Sequence, residues 1–346
     1  MNFKSDNITA VSPEIMEAIH AANHGTQPSY GADAYSETLK KTFSEVFEKE
    51  VSVYLTNTGT AANSLSLASL VKPYETVYCH QEAHINTDEC GAPELYTGGV
   101  KLIPISGACG KMDISHLQET IATSLSLRPH TQKPGGMSIT QATECGTVYS
   151  LEELKTLSEL AKSYALPLHM DGARFANSLV ALGCTPAELT WKTGIDVMSF
   201  GATKNGAMTA EAVIFFTPKY AENFDYLHKR AGQLMSKTRF FSCQFLAYLK
   251  NDLWLKNARH ANGMARRLQT LFMEYALPIA SPVEINEVFI TLPPSIAHYL
   301  QSKGCGFYEW GLPGGHLYRF VTSCFTTEDD LNSFDRCLSE AFNRVL

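Results

Sequence analysis

The middle of the chain alternates between short apolar runs of strand length and longer segments with apolar residues at helical spacing. Residues 51–56 predict a strand, and residues 60–70 directly after them predict a helix. Residues 76–79, 100–105 and 137–140 are further runs of strand length. From Ser150 the period lengthens. Ser150 with Glu153 three positions on is a capping box, and Leu151, Leu154, Leu157, Leu160 and Tyr164 recur on one helical face. Leu166-Pro167 ends that helix, and residues 168–170 begin a strand that stops at Asp171. Residues 195–200 and 212–216 predict two more strands bracketing a loop at 201–206.

Strands alternating with helices over about 200 residues predict an α/β fold, a mainly parallel sheet covered on both faces. In such sheets ligands gather beyond the carboxyl ends of the strands. After about residue 245 the texture changes. A long helical stretch at 253–275 is followed by short strand candidates at 288–292, 304–308 and 317–322, then by a helix from Glu328. The expected division is a large domain over residues 1–245, N-terminal segment included, and a small C-terminal α+β domain over 246–346.

Composition narrows the function. A chain of 346 residues, 45% hydrophobic and 18% charged, is globular and long enough for two packed units. A net charge of −7 with no long Lys/Arg run excludes the basic face that nucleic-acid binding requires. The longest purely apolar stretches are a handful of residues, and the N-terminus has no apolar core of signal-peptide length, so no membrane span is expected. Nine scattered cysteines without a C-x-x-C pair predict reduced thiols in a cytoplasmic protein, with neither a zinc site nor a disulfide framework. The expected partner is a small molecule.

Three strand ends carry candidate chemistry. Asn57-Thr58-Gly59-Thr60 joins a strand to a helix, where Gly59 permits close approach and the first-turn N–H groups with the Thr60 hydroxyl can grip a phosphate. Alone it is an ordinary capped turn, since both the G-K-[ST] and G-x-G-x-x-G spacings are absent. Asp171 ends an apolar strand with Arg174 three residues on, and a carboxylate there can keep a ring nitrogen protonated. Lys204 sits among small residues between two apolar strands, a position suited to a nucleophilic amine. A phosphate cup, a ring-nitrogen partner and an amine are together the three handles that pyridoxal 5′-phosphate needs.

The segments Ser5-Asp6-Asn7, Tyr30-Gly31-Ala32-Asp33, Asn57 to Asn63, Glu82-Ala83-His84, His169 to Arg174 and Thr203-Lys204-Asn205-Gly206 together resemble the low-specificity L-threonine aldolases. The resemblance extends over essentially the whole chain, and Thr140-Gln141-Ala142-Thr143-Glu144 is similar to a bacterial branch of that family. It implies fold type I of the pyridoxal-phosphate enzymes, with a seven-stranded sheet in the large domain. It implies retro-aldol cleavage of L-threonine, L-allo-threonine and related β-hydroxy-α-amino acids to glycine and an aldehyde. Other reactions on the same scaffold, β-elimination or amino transfer, stay open, as does a non-catalytic binding role. Gly59 and Thr60 would bind the phosphate, His84 would stack on the ring, Asp171 would pair with its nitrogen, and Lys204 would carry the cofactor covalently. Ser5, Tyr30, Arg174 and Arg319 would surround the substrate, Arg174 also bordering the cofactor, and Arg239 would reach a phosphate across a subunit interface of a homotetramer with shared sites. Many family members read Glu-Asn-Thr-His-Asn-Gly where this chain has Gln141-Ala142-Thr143-Glu144-Cys145-Gly146, so Glu144 stands in the histidine's place. His84 and Glu144 are then the candidate bases for the substrate hydroxyl, His84 favoured by an unperturbed pKa near neutrality. His169, on a strand, is expected to be a packed core side chain, as are Trp254, Phe272 and Tyr275 on their helix.

Overall fold

The structure, a computed structural model, describes residues 1–311 and 314–345. Leu346, the last residue of the expected small domain, and Leu312-Pro313 within it lie outside that range. Seven strands, β1 (Ser52–Thr56), β2 (Glu75–His80), β3 (Lys101–Ile105), β4 (Lys133–Thr140), β5 (Leu168–Gly172), β6 (Val197–Gly201) and β7 (Glu211–Phe215), form one sheet in the order β1-β7-β6-β5-β4-β2-β3. The strands from β6 to β3 in that order pair in parallel, while β7 runs antiparallel to both β6 and β1. β2, β5, β6 and β7 are buried along their whole length, as strands covered on both faces must be. The helix Leu151–Ser163 begins at the expected capping box, with both reciprocal hydrogen bonds formed.

β4 starts four residues before the apolar run that predicted it. Lys133-Pro134-Gly135-Gly136 carries no strand-forming side chain, yet its backbone pairs with β2 from Glu75 onward. A Cβ on Gly135 would collide with the Glu75 side chain, so the glycine is what lets the two strands close up there.

The second unit is a three-stranded antiparallel sheet, β8 (Glu287–Thr291), β10 (Leu317–Val321) and β9 (Tyr308–Glu309), packed on helices that include Pro294–Ser302 and Glu328–Val345. The strand expected at 304–308 is displaced to Tyr308–Glu309. The backbone before it is taken by the N-terminus: Phe3 N–H donates to the Gly306 carbonyl at 2.7 Å, and Val321 N–H donates to the Phe3 carbonyl at 2.8 Å. Phe3 is buried in the second core against Phe320 and Phe334, with centroids 6.1 and 5.4 Å away. The first residues therefore pack with the small unit rather than with the large one to which the sequence assigned them.

The helix Leu253–Glu274 joins the two cores. Leu253, Trp254 and Ala258 pack into the large core, and Met264, Ala265, Leu268 and Phe272 into the small one. Tyr275, just past its end, is only partly buried, against Phe342.

Candidate active site

The carboxyl ends of β1, β5 and β6 open onto one cavity of about 320 Å³. Gly59, Thr60, His84, Glu144, Asp171, Arg174 and Lys204 all line it. Ser5, Tyr30, Arg239 and Arg319 do not.

The helix Gly59–Leu70 starts on the cavity wall. The Thr58 hydroxyl accepts the Ala61 N–H at 3.1 Å, and Ala62 N–H makes the first intrahelical bond, to the Thr58 carbonyl. A helix has no earlier carbonyls for its first N–H groups, so those of Gly59 and Thr60 remain for an anion. Asp171 lies deeper. Its Oδ1 accepts the Ala173 N–H at 3.0 Å, and its Oδ2 accepts from the Asn63 amide at 2.8 Å. A Cβ on Gly172 would come within 2.7 Å of the Ser199 carbonyl, so only glycine lets the chain turn past β6 and deliver Arg174.

Lys204 sits in a single 3-10 turn, Thr203–Asn205, directly after β6. Asn205 bolts that turn to the core, its amide donating to the Tyr248 hydroxyl at 2.8 Å and to the Trp254 carbonyl at 2.9 Å. Gly206 closes the turn at φ 109°, where a side chain would run into Ser12.

Sequence reasoning missed two of the carboxylates that surround these groups, Glu89 and Glu211, which join the expected Glu144. Glu89 is buried, and its Oε1 meets the His84 ring Nδ1 at 2.9 Å and the Asn63 amide at 2.8 Å. The one Asn63 amide thus donates to both Glu89 and Asp171. The hydrogen bond to Glu89 raises the His84 pKa, and burial raises that of Glu89 itself. Glu144 accepts the His84 backbone N–H at 2.7 Å and the Thr140 hydroxyl at 3.0 Å through Oε1, while its buried Oε2 has no partner. Burial, reinforced by the Asp171 charge, pushes the Glu144 carboxyl up to about 7. Glu211 opens β7 on the same cavity, and the signal for it was present: a charged residue heading a fully apolar strand.

On the far wall Arg174 is gripped by Asp6, Nε to Oδ2 at 2.9 Å and Nη2 to Oδ1 at 3.1 Å, which leaves Nη1 without a bond among the described residues. Burial works against ionising Asp6, but Arg174 and Lys204 outweigh it and hold that carboxyl below the ordinary range. Glu287, buried on β8, brings the arginines together, with Arg174 Nη2 at 3.3 Å and Arg319 Nη1 at 3.5 Å. Arg319 is stacked 4.2 Å over Trp310, so it stands one side chain behind the cavity wall. Ser5 caps the short turn Asp6–Ile8 by accepting the Asn7 N–H, and Asn7 rather than Ser5 faces the cavity.

Tyr30 and Arg239 lie elsewhere on this chain. Tyr30 is 52% exposed with Lys229 5.0 Å over its ring, and Arg239 donates to the Gly25 carbonyl at 3.3 Å while its Nε is buried without a partner. His169 is a packed core residue as expected, held between the Ser138 and Ser199 hydroxyls at 2.8 and 3.0 Å, and burial lowers its pKa to about 4.

An antiparallel β7 inside an otherwise parallel seven-stranded sheet, a small C-terminal unit, and a lysine, an aspartate and a helix start at neighbouring strand ends define fold type I of the pyridoxal-phosphate-dependent enzymes. The model of the β-eliminating lyase family matches residues 2–293. The chain belongs to that family, among its low specificity L-threonine aldolases, and is a lyase. It is 44% identical to the low specificity L-threonine aldolase of Pseudomonas sp. over 94% of this chain and 93% of the relative. Its identity to the enzyme of that name from Escherichia coli is 30%, over 78% of this chain and 79% of the relative. The solved threonine aldolase of Leishmania major superposes with a TM-score of 0.91 at 27% identity, covering 98% of both chains.

Proposed function

We propose that the chain cleaves L-threonine, L-allo-threonine and related β-hydroxy-α-amino acids to glycine and an aldehyde, with pyridoxal 5′-phosphate held in the cavity at the strand ends. The observation that carries this reading is the convergence of Lys204, Asp171 and the Gly59-Thr60 helix start on one wall, with a half-occupied arginine on the other. The residues present fit the group. Gly59 and Thr60 supply N–H donors for the phosphate, Asp171 is already oriented by Ala173 and Asn63 as an acceptor for a ring N–H, and Lys204 supplies the amine. When bound, the cofactor supplies an electron-poor ring that accepts the electron pair of a bond broken at the substrate α-carbon.

The side chains decide which bond that is. Nη1 of Arg174, backed by Arg319, binds the substrate carboxylate and fixes rotation about the α-carbon, so the bond to the β-carbon is the one aligned for cleavage. Glu144 takes the β-hydroxyl proton through its free Oε2. The sequence favoured His84 for that step, but Glu89 draws His84 toward its protonated form, which suits a ring that stacks and donates rather than one that accepts. The bond then breaks, the aldehyde leaves, a proton returns to the α-carbon, and glycine departs.

Arg239 and Tyr30 belong, in this reading, to the site of a neighbouring subunit in a homotetramer. The buried, partnerless Nε of Arg239 supports that role. Nine free cysteines, together with the acidic composition, support a cytoplasmic location. The test is a product assay with L-threonine and L-allo-threonine on protein loaded with the cofactor. Glycine plus acetaldehyde is the expected outcome, whereas ammonia plus a keto acid would mean elimination instead.

A further inference from the structure

Glu211 has no place in the chemistry above, yet it stands in the phosphate cup. Because β7 runs antiparallel, its first residue lies at the same sheet edge as the last residues of β1 and β6, in register with Thr56 and Gly201. Its Oε2 lies 3.9 Å from where a Cβ on Gly59 would stand and 3.0 Å from one on Gly201, so it points between the helix start and the lysine turn. The side chain is buried, and no Lys or Arg forms an ion pair with it among the described residues. An ionised carboxylate at this point would face a dianionic phosphate at close range.

We propose that Glu211 stays a carboxylic acid in the folded protein and donates its proton in a hydrogen bond to the phosphate of the bound cofactor. The proposal rests on the cavity being the pyridoxal-phosphate site. An acid buried beside other negative charges is held neutral and becomes a donor. Burial pushes the Glu211 carboxyl up to about 7, with the Asp171 charge adding to that and Thr203 and Lys204 opposing it. The groups facing it are Lys204 from the turn after β6 and Asp171 from β5. The β1 loop and the helix start present only Asn57, Thr58 and Thr60, and His84, Glu89, Glu144 and Arg174 line the rest of the cavity. A bound phosphate adds negative charge, which raises the acid further. Affinity should therefore be full below the cofactor-free value of about 7 and fall as pH rises above it.

The experiment titrates cofactor-free protein with pyridoxal 5′-phosphate, and separately with pyridoxal, across that pH range by the visible absorbance of the bound form. Native protein should lose about tenfold in affinity for the phosphorylated cofactor relative to Glu211→Gln as pH rises, because the amide keeps an N–H donor at every pH. Glu211→Ala should be weaker by about the same factor even at the acid end. With pyridoxal, native and variants should titrate alike, which separates an effect on the phosphate from one on Lys204. Thermal unfolding of each cofactor-free variant checks that it is folded. Glu211→Gln binding as weakly as Glu211→Ala at all pH values, or native and Glu211→Gln showing the same pH course, would overturn the proposal while leaving the site intact. Native protein that takes up neither compound at any pH would overturn the site and the proposal together.

Discussion

The two walls of the cavity are built in different ways. On the sheet side, each group follows directly from the end of a strand: Gly59 after β1, Asp171 on β5, Lys204 after β6. Their neighbours are hydrogen-bonded and locked into the larger core, as with Asn63 across Asp171 and Glu89, or Asn205 on Tyr248 and Trp254. The opposite wall gathers Asp6, Arg174, Glu287 and Arg319 from segments far apart in the chain. Both Glu287 oxygens lack a hydrogen bond there, so Glu287 reaches the two arginines by charge alone at 3.3 and 3.5 Å, and Arg174 is hydrogen-bonded through Asp6. In the proposed reading, the sheet fixes the groups that would hold the cofactor before anything binds, whereas the wall that would hold the substrate depends on how the N-terminal segment and the small unit dock.

The comparison makes the sheet side all-or-none. Lys204→Ala should reduce aldehyde release to background and remove the visible absorbance of bound cofactor, with the unfolding temperature of the cofactor-free protein nearly unchanged. A variant that kept either the absorbance or the activity would show that the strand ends do not hold the cofactor.

Glu144→Gln tests the meeting point of the two walls. Loss of the free carboxylate should lower kcat by about a hundredfold or more. In the native protein activity should rise with pH through about 7, as Glu144 loses its proton and becomes able to accept one. That limb should vanish in the variant. The folded-state pKa is raised, so the stability this group contributes is full below the unfolded carboxylate value and declines as pH climbs toward about 7. Glu144→Gln should consequently unfold at a higher temperature than native protein in mildly alkaline buffer. An unchanged pH profile with both threonine isomers would take Glu144 out of the proton transfer.

The unequal construction of the walls also explains what could be read from the residues alone. Lys204, Asp171 and Gly59-Thr60 were legible because a parallel sheet puts strand ends where ligands gather. Only their convergence changed a capped turn and a loop lysine into a site. Glu89 escaped notice because it is bonded directly to His84 and, through Asn63, to Asp171, contacts between separate elements that leave no periodic trace. The charge heading β7 was visible but did not by itself mark a site, because in one more parallel strand the first residue would stand at the opposite edge of the sheet. The place of Phe3 in the core of the small unit was not legible because the four residues Met1–Lys4 are too few to show a pattern.

On the arginine wall a smaller and separable effect is expected. Arg174→Lys keeps the charge but loses the planar fork that grips Asp6 through two bonds. The value of kcat/KM should fall by a few tens-fold, chiefly through KM, because a misplaced cation binds the carboxylate less well and aligns it less well. The visible absorbance should remain. If the absorbance disappeared instead, Arg174 would belong to the cofactor wall.

The smallest effect should come from the most remote change. Phe3→Leu replaces a ring packed against Phe320 and Phe334, a contact made wholly in the second core and away from the strand ends. A near volume-conserving swap there should lower stability by about 1 kcal/mol. Asp6 and Asn7 follow Phe3 by only a few residues and hang from the same backbone bonds to Gly306 and Val321. Loosening that anchor should raise KM about threefold, the size expected for a modest shift in the population of the docked segment. Turnover at saturation and cofactor affinity should stay as in the native protein, because the sheet wall makes no use of Phe3. A fall in cofactor affinity of the same size would mean that the walls are mechanically one, and that the division drawn between them is wrong.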